Sequence, residues 1–357
     1  MSPQTKLAER LARRIAAAGP ITVAQFMTAC LHDPEFGYYA MRPALGAEGD
    51  FITAPLVSQM FGELIGLWAV QTWMDMGRPA SFRLVEMGPG DGTLMSDALR
   101  AARLAPDFLT AADLWLVETS APLRDRQRHA LAAYAPRWAA SLDDIPEGAP
   151  LILIANELLD CLPARQFLRT AKGWAERVVG LSDDGALAFG LTGAVEAIVP
   201  DALRSVEIGA VVEVSAAQEG LGGAIGDRIA RGGGAALFID YGRDAPAPGD
   251  TLQALLRHQK VDVLATAGEA DLTVHADFPA FAAAARAGGA QTTRIVTQAA
   301  FLQALGIDAR ADALTRARPD QAEIIARQRH RLMARDQMGE LFKVVAVHAP
   351  GLAVAGF

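Results

Sequence analysis

The spacing of apolar positions changes near residue 80 of this 357-residue chain. Before that point apolar residues mostly recur with the period of a helix, apart from a turn-rich interruption at 33–55. From Phe82 onward short apolar runs alternate with helical segments, which is typical of a parallel sheet with right-handed crossovers. The pattern predicts strands at 82–87, 113–118, 151–155 and 235–240, and helices that include 93–103 and 121–134.

Two regions depart from this alternation. Residues 164–192 have the pattern of short strands around turns, which indicates an inserted β-hairpin region. At the C-terminal end the pattern predicts a helix at 277–288, a strand at 291–296, a helix at 298–305 and a strand at 341–347. These elements are expected to close a seven-stranded sheet whose last strand is antiparallel. The chain is therefore expected to be an α/β protein. A helical section at 1–80 precedes a sheet domain at 81–357, with an insertion at about 164–210 and a cover segment at about 243–278.

Composition narrows the class of protein. A formal charge of −8 argues against a general nucleic-acid binder, and no apolar run approaches the roughly 20 residues that span a bilayer. The two cysteines, Cys30 and Cys161, lack the spacing of metal ligands, so no metal site is expected. The first residues lack the apolar core of a signal peptide and do not resemble a transit peptide. A reducing, cytoplasmic location is the expectation that follows.

The first candidate site is a glycine turn between the strand at 82–87 and the helix that begins at Thr93. Its candidate cofactor-binding residues are Glu86, Gly88, Pro89, Gly90, Gly92 and Thr93. Glycines allow the backbone to approach a ligand closely, and such turns hold nucleotide-like ligands in open α/β sheets. The third glycine comes one residue earlier than in the dinucleotide fingerprint. This spacing favours a ligand without a pyrophosphate, and S-adenosylmethionine (SAM) is the cofactor expected.

Two acids near the following strands are further candidates for the cofactor site. Glu118 ends the second strand, where a carboxylate can accept hydrogen bonds from both ribose hydroxyls, although a solvated acid is the alternative. Asp143 lies in the connection before the third strand and could accept from the adenine amine. A simple loop is the alternative there.

A polar cluster follows the wholly apolar strand at 151–155. Asn156 and Glu157 can face the cofactor, and Asp160 falls on the same face of a helical turn as Glu157. The alternative makes Asn156 a helix cap and Asp160 an acid that complements a helix dipole. Cys161 is interpreted as a buried bystander. The glycine-rich stretch 220–226 is interpreted as part of a packed helix rather than a second nucleotide turn.

These motifs resemble, in combination, the MidA-like family of class I SAM-dependent methyltransferases. The resemblance also covers four further segments, at 49–63, 238–242, 271–278 and 338–344, and thus nearly the whole chain. It implies a Rossmann-like sheet, SAM bound at the glycine turn, and Thr53 among the cofactor-binding residues. Mitochondrial members methylate protein arginine and help assemble respiratory complex I, which implies a protein substrate such as a respiratory complex subunit.

Methyl transfer from a sulfonium requires alignment and electrostatics rather than a metal. If the acceptor is arginine, carboxylates must hold its permanently charged guanidinium, and Glu157, Asp160 and Asp50 are the candidates in that order. His275 could accept a proton, but a lone histidine in a loop is more often structural. A small-molecule methyltransferase and a non-catalytic SAM-binding assembly factor stay open as alternative functions. A homodimer is a possible oligomeric state. The glycine spacing disfavours an NAD oxidoreductase.

Overall fold

The structure is a computed structural model that describes residues 5–41, 53–196 and 198–357. The strands in these ranges are β1 (Ile21–Thr22), β2 (Phe82–Met87), β3 (Ala112–Val117), β4 (Arg137–Ala139), β5 (Leu151–Asn156), β6 (Arg165–Thr170), β7 (Gly173–Leu181), β8 (Leu187–Val195), β9 (Val211–Val214), β10 (Gly234–Arg243), β11 (Gln253–Leu256), β12 (Gln259–Val261), β13 (Asp271–Thr273), β14 (Ala276–Asp277), β15 (Gln291–Thr292), β16 (Val296–Thr297) and β17 (Phe342–His348).

The helices in the same ranges are α1 (Lys6–Ala18), α2 (Val23–His32), α3 (Tyr38–Met41), α4 (Ala54–Val57), α5 (Gln59–Asp75), α6 (Thr93–Ala102), α7 (Pro106–Ala111), α8 (Ala121–Ala130), α9 (Ala216–Gly232), α10 (Phe278–Ala287), α11 (Gln298–Ala304), α12 (Ile307–Ala317), α13 (Ala322–Met333) and α14 (Met338–Leu341). None of them combines the length and the apolar composition that a membrane crossing requires.

The central sheet has the strand order β15-β17-β10-β5-β2-β3-β4. The five strands from β4 to β10 run parallel, and β17 pairs antiparallel with β10. This confirms the predicted, mostly parallel sheet with an antiparallel last strand. The short strands β14 and β16 also pair with β10 and β17, so the sheet has nine strands rather than the predicted seven. The predicted strand at 291–296 is interrupted, however, because the Thr293 hydroxyl accepts from the Ala346 N–H where a strand would offer its carbonyl. The result is two short strands, β15 and β16, which both pair with β17.

The sheet is buried on both faces. All six residues of β5 are buried, which explains the unbroken apolar run at 151–155 before Asn156. One face packs against a core that includes α5 and α6, and the other face packs against α9 and α10. The carboxyl ends of β2, β3, β5 and β10 consequently lie side by side at one edge, where ligands bind in open α/β sheets.

The inserted region forms a sheet of its own with the N-terminal section. Strands β6 to β9 make up four of its five strands, and β1 adds to β7 through the pair Ile21–Val179. The insertion is therefore larger than a single hairpin. Strands β11, β12 and β13 form a separate three-stranded sheet between β10 and α10.

Helix α9 contains the glycine-rich stretch, and its glycines let α10 approach closely. A Cβ at Gly222 would lie 2.5 Å from the Phe281 carbonyl oxygen, and one at Gly226 would lie 2.1 Å from the Ala285 carbonyl oxygen. These glycines serve helix packing, as the sequence indicated.

Gly226→Ala is expected to lower the free energy of unfolding by roughly 1–3 kcal/mol, since the added methyl group overlaps backbone that cannot move freely. Gly220→Ala, on an exposed turn of the same helix with nothing within 4 Å of the new Cβ, should raise it by about 0.5–1 kcal/mol. Urea denaturation of both variants checks this. Equal effects of the two substitutions would contradict the packing account.

Candidate active site

The glycine turn after β2 has a backbone that favours glycine at every second residue. Gly88, Gly90 and Gly92 have φ angles of +66°, +56° and +89°. The Thr93 N–H, which opens α6, donates to Asp91 Oδ1 at 3.0 Å. Gly88 and Gly90 line a cavity, whereas Gly92 packs against α8, where a Cβ would lie 3.4 Å from Gln127 Cα. Thr93 is not among the residues that line it.

This main cavity lies at the carboxyl ends of β2, β3 and β5. The N-terminal section and the segment after β12 also contribute residues to its wall. Its lining residues are His32, Tyr39, Thr53, Met87, Gly88, Gly90, Val117, Glu118, Thr119, Ser120, Leu123, Ala140, Glu157, Leu158, Asp160, Cys161 and Asp271.

Glu118 is held rigidly at one end of the main cavity. Its Oε1 accepts from the Ser120 N–H at 2.7 Å, and its Oε2 accepts from Gln127 Nε2 at 3.3 Å. The same Gln127 nitrogen donates to the Gly90 carbonyl at 2.7 Å, which ties the acid to the glycine turn. Burial raises the pKa of Glu118, while these donors lower it. Each oxygen keeps a free lone pair, so the carboxylate can accept from ribose hydroxyls.

A side cavity adjoins the main one and shares Thr53, Gly88, Gly90 and Glu157 with it. Its lining residues are Thr53, Pro55, Leu56, Glu86, Gly88, Pro89, Gly90, Asp91, Leu94, Asn156 and Glu157.

Two buried acceptors in the side cavity have no donor among the described residues. They are Glu86 Oε2 and Asn156 Oδ1. Burial, and then the nearby Asp91, raise the pKa of Glu86 to about 8. Buried acceptors without donors indicate a ligand that supplies them. The amino group of SAM is such a donor, so the residues present fit this cofactor.

The segment after β5 brings two acids to the main cavity. Glu157 has a φ of +53°, an uncommon conformation for a residue with a side chain. Its Oε1 accepts from the Ala54 N–H at 3.1 Å and from Asn156 Nδ2 at 3.0 Å. Burial, followed by the charge of Asp160, raises the pKa of Glu157 to about 7. Burial also raises the pKa of Asp160 to about 6. Two carboxyl groups that change charge near neutral pH thus lie together.

The other sequence candidates lie in different places. Asp143 is exposed and lines neither cavity, because the 3₁₀ turn at 142–144 directs it outward, and Ala140 takes the cavity position in that connection. His275 does not line the main cavity, and the centroid of its ring lies 5.7 Å from that of the Tyr241 ring. Burial raises the pKa of the Cys161 thiol well above its usual range, which disfavours a nucleophilic role. Asp50 lies outside the described residues.

Four residues at or behind this site were not predicted from the sequence. Tyr39, His32 and Asp271 line the main cavity, and Asp240 lies fully buried behind it. Asp240 follows the apolar run of a predicted strand, which is the signal that identified Glu118. The other three come from segments that only the tertiary fold brings to the sheet edge.

Comparison with known proteins identifies the family. A family model described as "Putative S-adenosyl-L-methionine-dependent methyltransferase" matches residues 64–296, more than half of the chain. The chain belongs to this family. A Burkholderia thailandensis protein crystallised with S-adenosyl-homocysteine (SAH) has a TM-score of 0.84, 29% identity, and coverage of 98% of this chain and 93% of that chain. The predicted cofactor, SAM, is thereby confirmed.

Curated relatives are similar over almost the full chain. The mitochondrial protein arginine methyltransferase NDUFAF7 of Danio rerio is 34% identical, over 95% of this chain and 86% of the relative. The Homo sapiens protein of the same name is also 34% identical, over 97% of this chain and 84% of the relative. The predicted cytoplasmic location is wrong by this comparison, because these relatives are named as mitochondrial. Cysteine usage and the composition of the first residues were not sufficient grounds for it.

Glu118→Ala should weaken SAH binding by about ten- to a hundredfold, since a hydrogen bond to a charged group contributes roughly 1.5–3 kcal/mol. Asp143→Ala is the matched control. Because this acid lies outside both cavities, the variant should bind SAH as tightly as the wild type. Isothermal titration calorimetry measures both. A loss below threefold for Glu118→Ala would support the solvated-acid alternative.

Glu157→Gln should stabilise the protein at pH 8. The folded-state pKa of Glu157 is raised from 4.5 to about 7, so the stability linked to its proton is present below pH 4.5 and lost as pH rises through 7. Glutamine removes this loss, so its Tm should exceed the wild-type value at pH 8, by a margin that shrinks towards pH 5. Thermal unfolding across this range tests the prediction. A margin independent of pH would contradict it.

Proposed function

We propose that this methyltransferase transfers the methyl group of SAM to an arginine side chain of a protein. The observation that carries the proposal is the acidity of the main cavity next to the glycine turn. Three carboxylate residues, Glu157, Asp160 and Asp271, line this part of it, and no lysine or arginine is among its described lining residues. The names of the curated relatives support the same acceptor.

The acids provide what an arginine acceptor requires. A guanidinium remains charged in proteins and is held best by carboxylates that accept two parallel hydrogen bonds. Glu157 and Asp160 repel each other when both are ionised, which contributes to the raised pKa of Glu157. A guanidinium between them would favour both charged forms and release the proton that they hold. Arginine binding should therefore strengthen as pH rises through 6 to 7.

The reaction also needs an acceptor for one proton. Bound SAM supplies an electrophilic methyl group. The new N–C bond would form as the bond between this methyl group and the sulfonium sulfur breaks, with the electron pair staying on sulfur to give SAH. The attacking nitrogen loses a proton, and the carboxylate of Glu157 is proposed to take it. The bound guanidinium would keep Glu157 ionised and ready to accept this proton, and the pKa of about 7 that burial and the charge of Asp160 give the group without a guanidinium allows it to hold the proton once the charge is gone. Asp160 is proposed to keep the guanidinium oriented during transfer.

The finer identity of the partner stays a proposal. The resemblance to members that assist complex I assembly favours a respiratory complex subunit as the acceptor. His32 is exposed yet lines the main cavity, so this helix end is the side from which a protein chain is proposed to enter. A homodimer stays a prediction that size-exclusion chromatography with light scattering can test.

Asp160→Asn should reduce methyl transfer by at least about tenfold, because the lost charge held the guanidinium through a charge-assisted hydrogen bond. SAH affinity should change by less than about threefold. The assay incubates the protein with methyl-labelled SAM and an extract of cells that lack it, and then finds the label in methylarginine after protein hydrolysis. The exposed Asp143→Asn is the control.

Three outcomes would contradict the proposal. Label confined to small molecules would identify a small-molecule methyltransferase. Intact SAH binding without any transfer would identify a binding module. Equal losses of transfer and SAH affinity in Asp160→Asn would place that acid in the cofactor site.

A further inference from the structure

The segment 157–161, which carries Glu157 and Asp160, is neither a helix nor a strand. Its backbone groups therefore depend on other parts of the protein for hydrogen bonds. Two polar side chains behind it, Asp240 and Gln218, supply several of them, with exposed fractions of 0% and 1%. Neither side chain lines the main cavity or the side cavity.

Asp240 holds the segment from β10. Its Oδ2 accepts from the Leu159 N–H at 2.7 Å and from the Asp160 N–H at 3.2 Å, while its Oδ1 accepts from the Tyr241 N–H at 2.8 Å. Because β10 and β5 are adjacent parallel strands, this carboxyl group lies directly beside the end of β5. One buried carboxyl group thus fixes two consecutive peptide units of the acidic segment.

Gln218 holds the same segment from helix α9. Its Nε2 donates to the Leu159 carbonyl at 2.8 Å, and its Oε1 accepts from the Asp277 N–H at 2.9 Å. The Val274 N–H donates to the Asp160 carbonyl at 2.9 Å. Helix α9, the acidic segment and the connection before α10 are thereby joined through one network.

The network explains how Glu157 keeps its conformation. A glutamate at φ +53° is strained relative to an extended or helical one, and such a residue persists only where its surroundings over-determine it. The Glu157 N–H donates to the Ile239 carbonyl, and Asp240 and Gln218 hold the residues that follow. We propose that Asp240 and Gln218 are positioning residues that hold the segment 157–161 so that its two acids face the acceptor.

This inference rests on the proposed function for the roles of Glu157 and Asp160, but its first test does not depend on activity. In Asp240→Ala the Leu159 and Asp160 amides lose their acceptor. Their hydrogen exchange should accelerate by at least about tenfold relative to β2, as expected when one hydrogen bond is lost. Asp240→Asn keeps the size and one acceptor oxygen, so its exchange should be intermediate.

The transfer assay should follow the same order. The wild type should be fastest, Asp240→Asn intermediate and Asp240→Ala slowest. SAH affinity should stay within about threefold in Asp240→Asn, because the residues of the cofactor site are unchanged.

A matched pair of glutamines separates positioning from general stability. Gln298 is also fully buried, with an exposed fraction of 0%, and donates to the Leu332 carbonyl at 2.9 Å in another part of the fold. Gln218→Met and Gln298→Met each remove a buried amide of similar size. Only Gln218→Met should accelerate exchange at residues 159–161 and slow methyl transfer.

Equal effects of the two glutamine substitutions, or unchanged exchange at Leu159 and Asp160 in both Asp240 variants, would overturn the inference. If exchange accelerates as expected but Glu157→Gln and Asp160→Asn still transfer methyl groups at the wild-type rate, the positioning role holds. In that case the roles proposed for the two acids are wrong.

Discussion

One carboxyl group lies near the carboxyl end of each of the four central parallel strands, and the burial of these acids governs the site. They are Glu86 on β2, Glu118 after β3, Glu157 after β5 and Asp240 on β10. Burying a carboxylate is costly unless hydrogen bonds or a counter-charge compensate it. The chain supplies the four acids with different numbers of hydrogen-bond donors. An acid with fewer donors gains more from a bound ligand.

Glu118 and Asp240 accept hydrogen bonds from donors of the chain itself. Asp240 accepts from three backbone N–H groups and so organises the neighbouring segment. Glu86 has a buried oxygen without a donor among the described residues, and Glu157 accepts hydrogen bonds at one oxygen while Asp160 repels its charge. Burial raises the pKa of all four acids, so what sets Glu86 and Glu157 apart is that the chain supplies them with fewer donors. Both therefore gain from a ligand that brings N–H groups or positive charge. SAM and an arginine side chain are ligands of this kind.

The periodicity of the sequence was sufficient for most of the central sheet, although the short edge strand β4 was not predicted. β2 matches the predicted bounds and β3 differs by one residue, because a mostly apolar strand between a turn and a helix leaves a clear pattern. The helices α12 and α13 were not predicted. The split of the strand at 291–296 also could not be read from the sequence, because it depends on the contact between Thr293 and Ala346.

Candidate site residues were predictable where they follow a predicted strand, since parallel strands bring their carboxyl ends to one edge. Glu118, Asn156 and Glu157 were found in this way. Tyr39 and Asp271 reach the cavity from α3 and β13, which are distant in sequence. Asp143 illustrates the reverse error: it precedes a strand of the sheet, but the local turn directs its side chain to solvent.

The central claim is that Glu118 and the donor-free acceptors of Glu86 and Asn156 at this sheet edge together hold SAM. The most direct measurement is a crystal structure of the chain with SAH. The account predicts the ribose hydroxyls within hydrogen-bond distance of the Glu118 carboxylate, and the amino group of the ligand on the side of Glu86 and Asn156. Clear density for SAH at another location, with the side cavity filled only by water, would contradict it.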